Sequence, residues 1–191
     1  MKGSRIVMKQ NNVKKIIYVG MLSAVAFVLY SLEVSVGFLF PVTPFLKIEF
    51  SDIPACIAAL GYGPVVGVLV EFIKNVLHIF ITKEPAFSGE IGNFLSGIGM
   101  ILPVWFVLRK KNGVERKILA VVMAALFSAV IMAFINYFVT LPLYGIADHN
   151  AKITMILTGF IPFNLFKGAL VAVISIVLFD ILKSHKVITK L

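Results

Sequence analysis

The sequence is short of charge. Only 14% of its 191 residues are Asp, Glu, Lys or Arg, against about 25% in an ordinary soluble domain. That deficit excludes a water-soluble fold for most of the chain, and 60% hydrophobic residues point to lipid instead. Histidine is scarce as well: His78, His149 and His185 stand far apart, without metal-ligand spacing. No Walker A phosphate loop occurs, so the chain does not hydrolyse ATP by that route. No Ser-His-Asp order is suggested, and the spans show no cluster of carboxylates, so the chain is read as a non-enzyme. The single cysteine, Cys56, excludes an internal disulfide and is read as a small core residue.

What is present is a series of apolar runs. A hydrocarbon core of roughly 30 Å requires about 20 apolar residues of helix. The runs here are continuous rather than alternating, which favours helices over a closed barrel. They fall at 15–31, 53–63, 64–82, 89–109, 117–142 and 157–183. The second is short. It opens with Ser51-Asp52-Ile53-Pro54, a capping residue and a first-turn proline. Gly61-Tyr62-Gly63-Pro64 breaks it from the third, so the two read as a helical hairpin. The expected fold is therefore an all-α membrane protein, one integral-membrane domain over 1–191 with six transmembrane helices.

Acidic residues number nine and basic residues eighteen, for a net charge of +9. In a soluble protein this balance would suggest nucleic acid. Here the positions of the cations follow a membrane topology, so no nucleic-acid partner is expected. Five lie in the tail before the first span (Lys2, Arg5, Lys9, Lys14, Lys15), and five lie between spans four and five (Arg109, Lys110, Lys111, Arg116, Lys117). Lys183, Lys186 and Lys190 follow the last span, while Lys47, Lys83 and Lys152 fall on the other side. Both termini are thus expected in the cytoplasm, with 1–14 a cytoplasmic tail. The first span resembles a signal peptide, but five more spans follow and a retained helix is expected. The segment 32–50 is external, aromatic and stiffened by Pro41 and Pro44. Its length and apolar character suit a lid.

An ionisable residue inside a span is functional by default, so the polar residues within the apolar runs are the candidates. Asn164 and Lys167 share one face of the sixth span, and no acid on that helix lies near enough to neutralise the lysine. Asn136 and Thr140 share a face of the fifth. If the two spans pack together, two amides and an ammonium line one outward-facing cavity. Gly168 and Ala172 allow the close approach this needs. In the third span Glu71 is expected to pair with Lys74, with Asn75 and His78 continuing the stripe. In the fourth, Glu90 and Asn93 share a face at the outer end, and Gly97 allows close approach either to a ligand or to a neighbouring helix, with Glu90 then simply a favourable acid near the helix start. In the first, Gly20 and Ala24 form a small-xxx-small spacing that admits a neighbouring helix.

Four segments, KIEFSDIPA (47–55), GYGPVVGVLVEFIKNVLH (61–78), GEIGNFLSG (89–97) and PFNLFKG (162–168), together resemble the riboflavin-specific substrate-binding, or S, components of energy-coupling factor (ECF) transporters. The resemblance runs from about residue 15 to 183. It implies six transmembrane helices in a bacterial cytoplasmic membrane, a vitamin pocket at the outer side, and work with a membrane coupling protein and two cytoplasmic ATPases. It implies that Asn136, Asn164 and Lys167 contact the flavin ring, and that Gly20 and Ala24 dock on the membrane partner.

Residue chemistry agrees with these implications. Amides and an ammonium suit a ring edge of carbonyls and an N–H. Phe40, Phe45 and Leu46 of the external loop are expected to close on the ring, and Thr43, Glu90 and Asn93 to meet the sugar-like tail. Riboflavin is the expected transported ligand, with flavin mononucleotide as a second one whose phosphate would need Lys47 or Lys152; no cofactor is expected. The alternatives are a solitary proton-coupled carrier using Glu71 and His78, a small intramembrane enzyme of lipid metabolism, and an S component for another vitamin.

Overall fold

The computed structural model describes residues 2–82, 85–110 and 113–185. Lys83, Lys111, Lys186 and Lys190, which entered the charge count, lie outside these residues. The described residues form six helical units: α1 (Lys2–Ser31), α2 (Asp52–Tyr62), α3 (Pro64–His78), α4 (Ser88–Leu108), α5 (Val114–Leu143) and α6 (His149–Ser184). Four are long and apolar enough to cross a membrane: α1 over Val13–Ser31, α4, α5 and α6. With 11 and 15 residues, α2 and α3 rise only about 16 and 22 Å, short of a bilayer core.

Two helices start earlier than their apolar runs. No proline interrupts α1, which begins at Lys2 rather than near residue 15. Asp148 opens α6, its carboxylate accepting the Ala151 N–H at 2.7 Å, an N-cap the apolar pattern alone does not show.

All 11 residues of α2 are buried. It runs through the middle of the bundle, packed on α1, α3, α4 and α6. Its small side chains, Ala55, Cys56, Ala58 and Ala59, make that central position possible. Gly63 turns the chain from α2 into α3 at φ +103°, a conformation costly for any residue with a side chain. Helices α5 and α6 approach closely where Gly168 faces α5; a Cβ there would lie 2.9 Å from the Ala125 Cα.

The segment between α1 and α2 is folded. Its strands β1 (Val34–Ser35) and β2 (Lys47–Ile48) pair antiparallel, with Val34 opposite Ile48. It seats Leu46 in a small cluster with Leu141, Ile156, Phe160 and Phe163, against which Phe40 and Phe45 also pack. This cluster is separate from the larger core around α2.

Candidate functional site

A half-open cavity of about 650 Å³ lies where α1 and α3 end, α4 begins, and the last part of α5 and the first part of α6 face each other. Small-molecule sites typically enclose about 300–1,000 Å³ with a few placed polar groups. Asn136, Thr140, Asn164 and Lys167 all line this one space, as do Phe45, Leu46 and Asn93. Both helices carry a π-turn at this level, Asn136–Thr140 in α5 and Ile156–Phe160 in α6, and the two pack together. Each π-turn is followed by a proline, Pro142 or Pro162. A proline ring clashes with the carbonyl four residues back and removes one donor, which widens the turn. Both amides are steadied by their own helices: Asn136 Nδ2 donates to the Met132 carbonyl at 2.7 Å, and Asn164 Nδ2 to the Phe160 carbonyl at 2.8 Å.

The floor is ionic. Lys167 Nζ donates to Glu49 Oε1 at 2.6 Å and stands 3.5 Å from Asp52 Oδ2. No acid of α6 answers the lysine, as its spacing implies; the acids come instead from the loop and from α2, which helical spacing along α6 does not reveal. Glu49 is held from three sides, by Lys167, by Asn93 Nδ2 at 2.8 Å and by the Ser51 N–H at 2.6 Å. Burial alone would raise its carboxyl, but Lys167 and then Lys74 outweigh burial and hold it well below the ordinary carboxylate range. Asp52 turns its other oxygen, Oδ1, to Lys74, so it bridges the two lysines.

Lys74 also meets Glu71 Oε1 at 2.7 Å, the expected pair, and Ser51 Oγ at 2.5 Å. Three donors thus meet three acceptors on a fully buried ammonium, while Lys167 has one short bond and an open side facing the cavity. The two buried lysines play different parts. The three acids come from the loop, the first residue of α2 and α3, so they gather at the cavity floor although only Glu71 lies within an apolar run. Replacing Lys74 with alanine should cost about 3–5 kcal/mol, the usual penalty for stranding buried charge. Thermal denaturation of the purified variant checks this; an unchanged transition would contradict it.

Four expected site residues do not line the cavity. Phe40 packs edge-on against Phe163, ring centroids 5.7 Å apart. Thr43 is fully buried under the loop, so close to α6 that a Cβ on Gly159 would lie 2.5 Å from its Oγ1. Glu90 turns to His78, Oε1 to Nδ1 at 2.7 Å. Gly97 makes room for Glu71, whose Cδ would be 2.5 Å from an added Cβ. In their place the cavity takes Tyr30, His78, Ser88, Ser96, Tyr144 and Phe163. His78 stacks on Tyr30 at 3.7 Å between centroids. Glu71 and His78 thus have different side-chain partners among the described residues. Further back along α1, Gly20 and Ala24 both face outward, one turn apart.

A bundle of apolar helices with a mixed polar and aromatic cavity at one end defines a membrane protein that captures a small molecule. The chain belongs to the family of ECF transporter substrate-specific components, whose pattern matches residues 14–179. It is 38% identical over 181 residues to the riboflavin transporter FmnP of Bacillus subtilis, covering 90% of this chain and 93% of that one. It is 36% identical over 186 residues to the riboflavin transporter RibU of Staphylococcus aureus, covering 94% and 95%. A solved structure of the S component of a bacterial ECF transporter superimposes with a TM-score of 0.78 at 32% identity, over 91% of this chain and 98% of that one.

Proposed function

We propose that the chain is the riboflavin-capturing subunit of an ECF-type importer. The observation that carries this reading is the convergence of Asn136, Asn164 and Lys167 on one cavity, in a chain with relatives that are riboflavin transporters. Each amide spends one donor on its own helix and keeps its oxygen and second hydrogen for the ring edge. Lys167 supplies the remaining donors. Tyr30, Phe45, Tyr144 and Phe163 give the flat ring its apolar walls. Asn93 Oδ1 and Ser88 Oγ, both without hydrogen-bond partners among the described residues, suit the hydroxyls of the tail. Loop residues Phe40 and Thr43 act from behind, holding the wall that carries Phe163 and Gly159.

An ammonium already paired with Glu49 presents little net charge, which favours an uncharged flavin. Flavin mononucleotide is the weaker second ligand: Lys47 lines the cavity but pairs with Glu33, and Lys152 sits over the Tyr137 ring outside the lining. The carrier reading that relies on Glu71 and His78 is not favoured.

The same reading places the chain in a bacterial cell membrane. The α2–α3 hairpin completes six spans, the cavity faces outward and both termini are cytoplasmic. Lys14, Lys15, Arg109, Lys110, Arg116, Lys117 and Lys183 then gather at the inner side, as the positive-inside rule requires. Delivery runs through a membrane coupling protein and two ATPases.

Asn164→Ala tests the ring contact. Losing a buried hydrogen bond of about 1–3 kcal/mol should weaken riboflavin binding roughly five- to 150-fold. Titration by flavin fluorescence quenching reads the effect, and an unchanged affinity would remove Asn164 from the site.

A further inference from the structure

A second hollow, about 280 Å³, opens at the opposite end of the bundle, between the α2–α3 turn, the end of α4 and the end of α6. The 21 residues of α4 separate it from the vitamin cavity, about 30 Å of helix. We infer that this crevice binds the headgroup of an anionic membrane phospholipid, such as a phosphatidylglycerol, through Arg109 and Lys183.

Two cations line it, and neither meets a carboxylate among the described residues. The acid beside them, Asp180, is taken by Lys117 at 2.5 Å. Arg109 lies over the rings of Phe106 and Trp105, at 4.2 and 5.3 Å from their centroids. Stacking occupies the faces of a guanidinium and leaves its in-plane donors free, the arrangement that grips a phosphate with two parallel bonds. Tyr62 also lines the crevice, its ring stacked on Tyr18 with centroids 4.5 Å apart. Gly63 carries no side chain into the space, and an added Cβ there would meet nothing within 4 Å.

The lining and its surroundings favour a lipid over a soluble anion. Ile176 and Phe179 give the crevice an apolar wall. Phe106, Val177 and Ile181 are 60%, 52% and 47% exposed at the same level, where lipid chains would cover them. Trp105 stands where tryptophan is enriched, at the boundary between hydrocarbon and headgroups. Basic pockets between helices at that boundary are a recurrent way of holding anionic headgroups.

The test uses the purified full chain in mild detergent, with phosphatidylglycerol or phosphatidylcholine added and bound lipid counted by native mass spectrometry. The wild type should retain one phosphatidylglycerol in preference to phosphatidylcholine. The variant Arg109→Gln/Lys183→Gln should retain it roughly tenfold or more less well, each cation near the surface contributing about a factor of five. Arg109→Lys, which keeps the charge and loses the fork, should fall between them. A helical circular dichroism spectrum and an unchanged melting transition show that the variants fold. Equal retention by wild type and double variant overturns the site. Equal retention of the two lipids overturns the anionic specificity. Displacement of the lipid by millimolar inorganic phosphate assigns the crevice to a soluble anion and overturns the lipid.

Discussion

Lys167→Ala is expected to weaken riboflavin binding by about 10- to 150-fold, the range for losing a hydrogen bond to a charged group. It is also expected to lower stability. Glu49 would keep Asn93 and the Ser51 N–H but lose the cation at 2.6 Å, and stranding a buried charge costs about 3–5 kcal/mol. The two effects separate in the variant Lys167→Met/Glu49→Gln, which removes both charges of the pair. Stability should recover, because no ion is left unpaired, while the affinity stays low, because the donors are gone. Wild-type affinity in Lys167→Ala would remove the lysine from the site. Recovered affinity in the double variant would show that Lys167 acts only through folding.

Gly20→Trp, or Ala24→Trp, is expected to abolish uptake by cells while leaving riboflavin binding unchanged. Both positions face outward on α1, and a Cβ built on Gly20 meets nothing within 4 Å. A large side chain there does not disturb the protein's own packing. It would instead hold another helix away from a face whose small residues permit close approach. Uptake of labelled riboflavin and titration of the purified variant read the two properties apart. Normal uptake would remove this face from delivery, and impaired binding would mean that a change at this face is passed along α1 to Tyr30 in the cavity lining.

Features set by local spacing along one helix were legible in the sequence. Glu71 and Lys74 lie three residues apart and pair as their spacing implies. Asn136 with Thr140 and Asn164 with Lys167 share faces, and those faces do meet across one cavity. Gly168 does admit the close approach of α5. Contacts between distant segments were not legible. Nothing in the spacing of α6 announces that Glu49, 118 residues away, will answer its lysine. The acids of KIEFSDIPA were visible as residues, but their roles depend on how the loop folds over the bundle. A polar Thr43 and an aromatic Phe40 in a loop suggest residues that face a ligand; the folded loop turns them toward its own support. The π-turns had a cue in Pro142 and Pro162, but a proline alone does not say whether a helix kinks, ends or widens. Helix length was the other miss. Apolar runs marked where α2 and α3 lie, yet neither is long enough to span by itself.

The central claim, that the cavity floored by Lys167 is a riboflavin site, is tested most directly by titrating the purified protein with riboflavin and following the loss of flavin fluorescence. Saturable quenching at one flavin per chain, sharply weakened in Lys167→Met/Glu49→Gln although that variant melts like the wild type, is the predicted result. Flavin fluorescence that stays unchanged across the titration, or quenching of equal affinity in the two proteins, would contradict it.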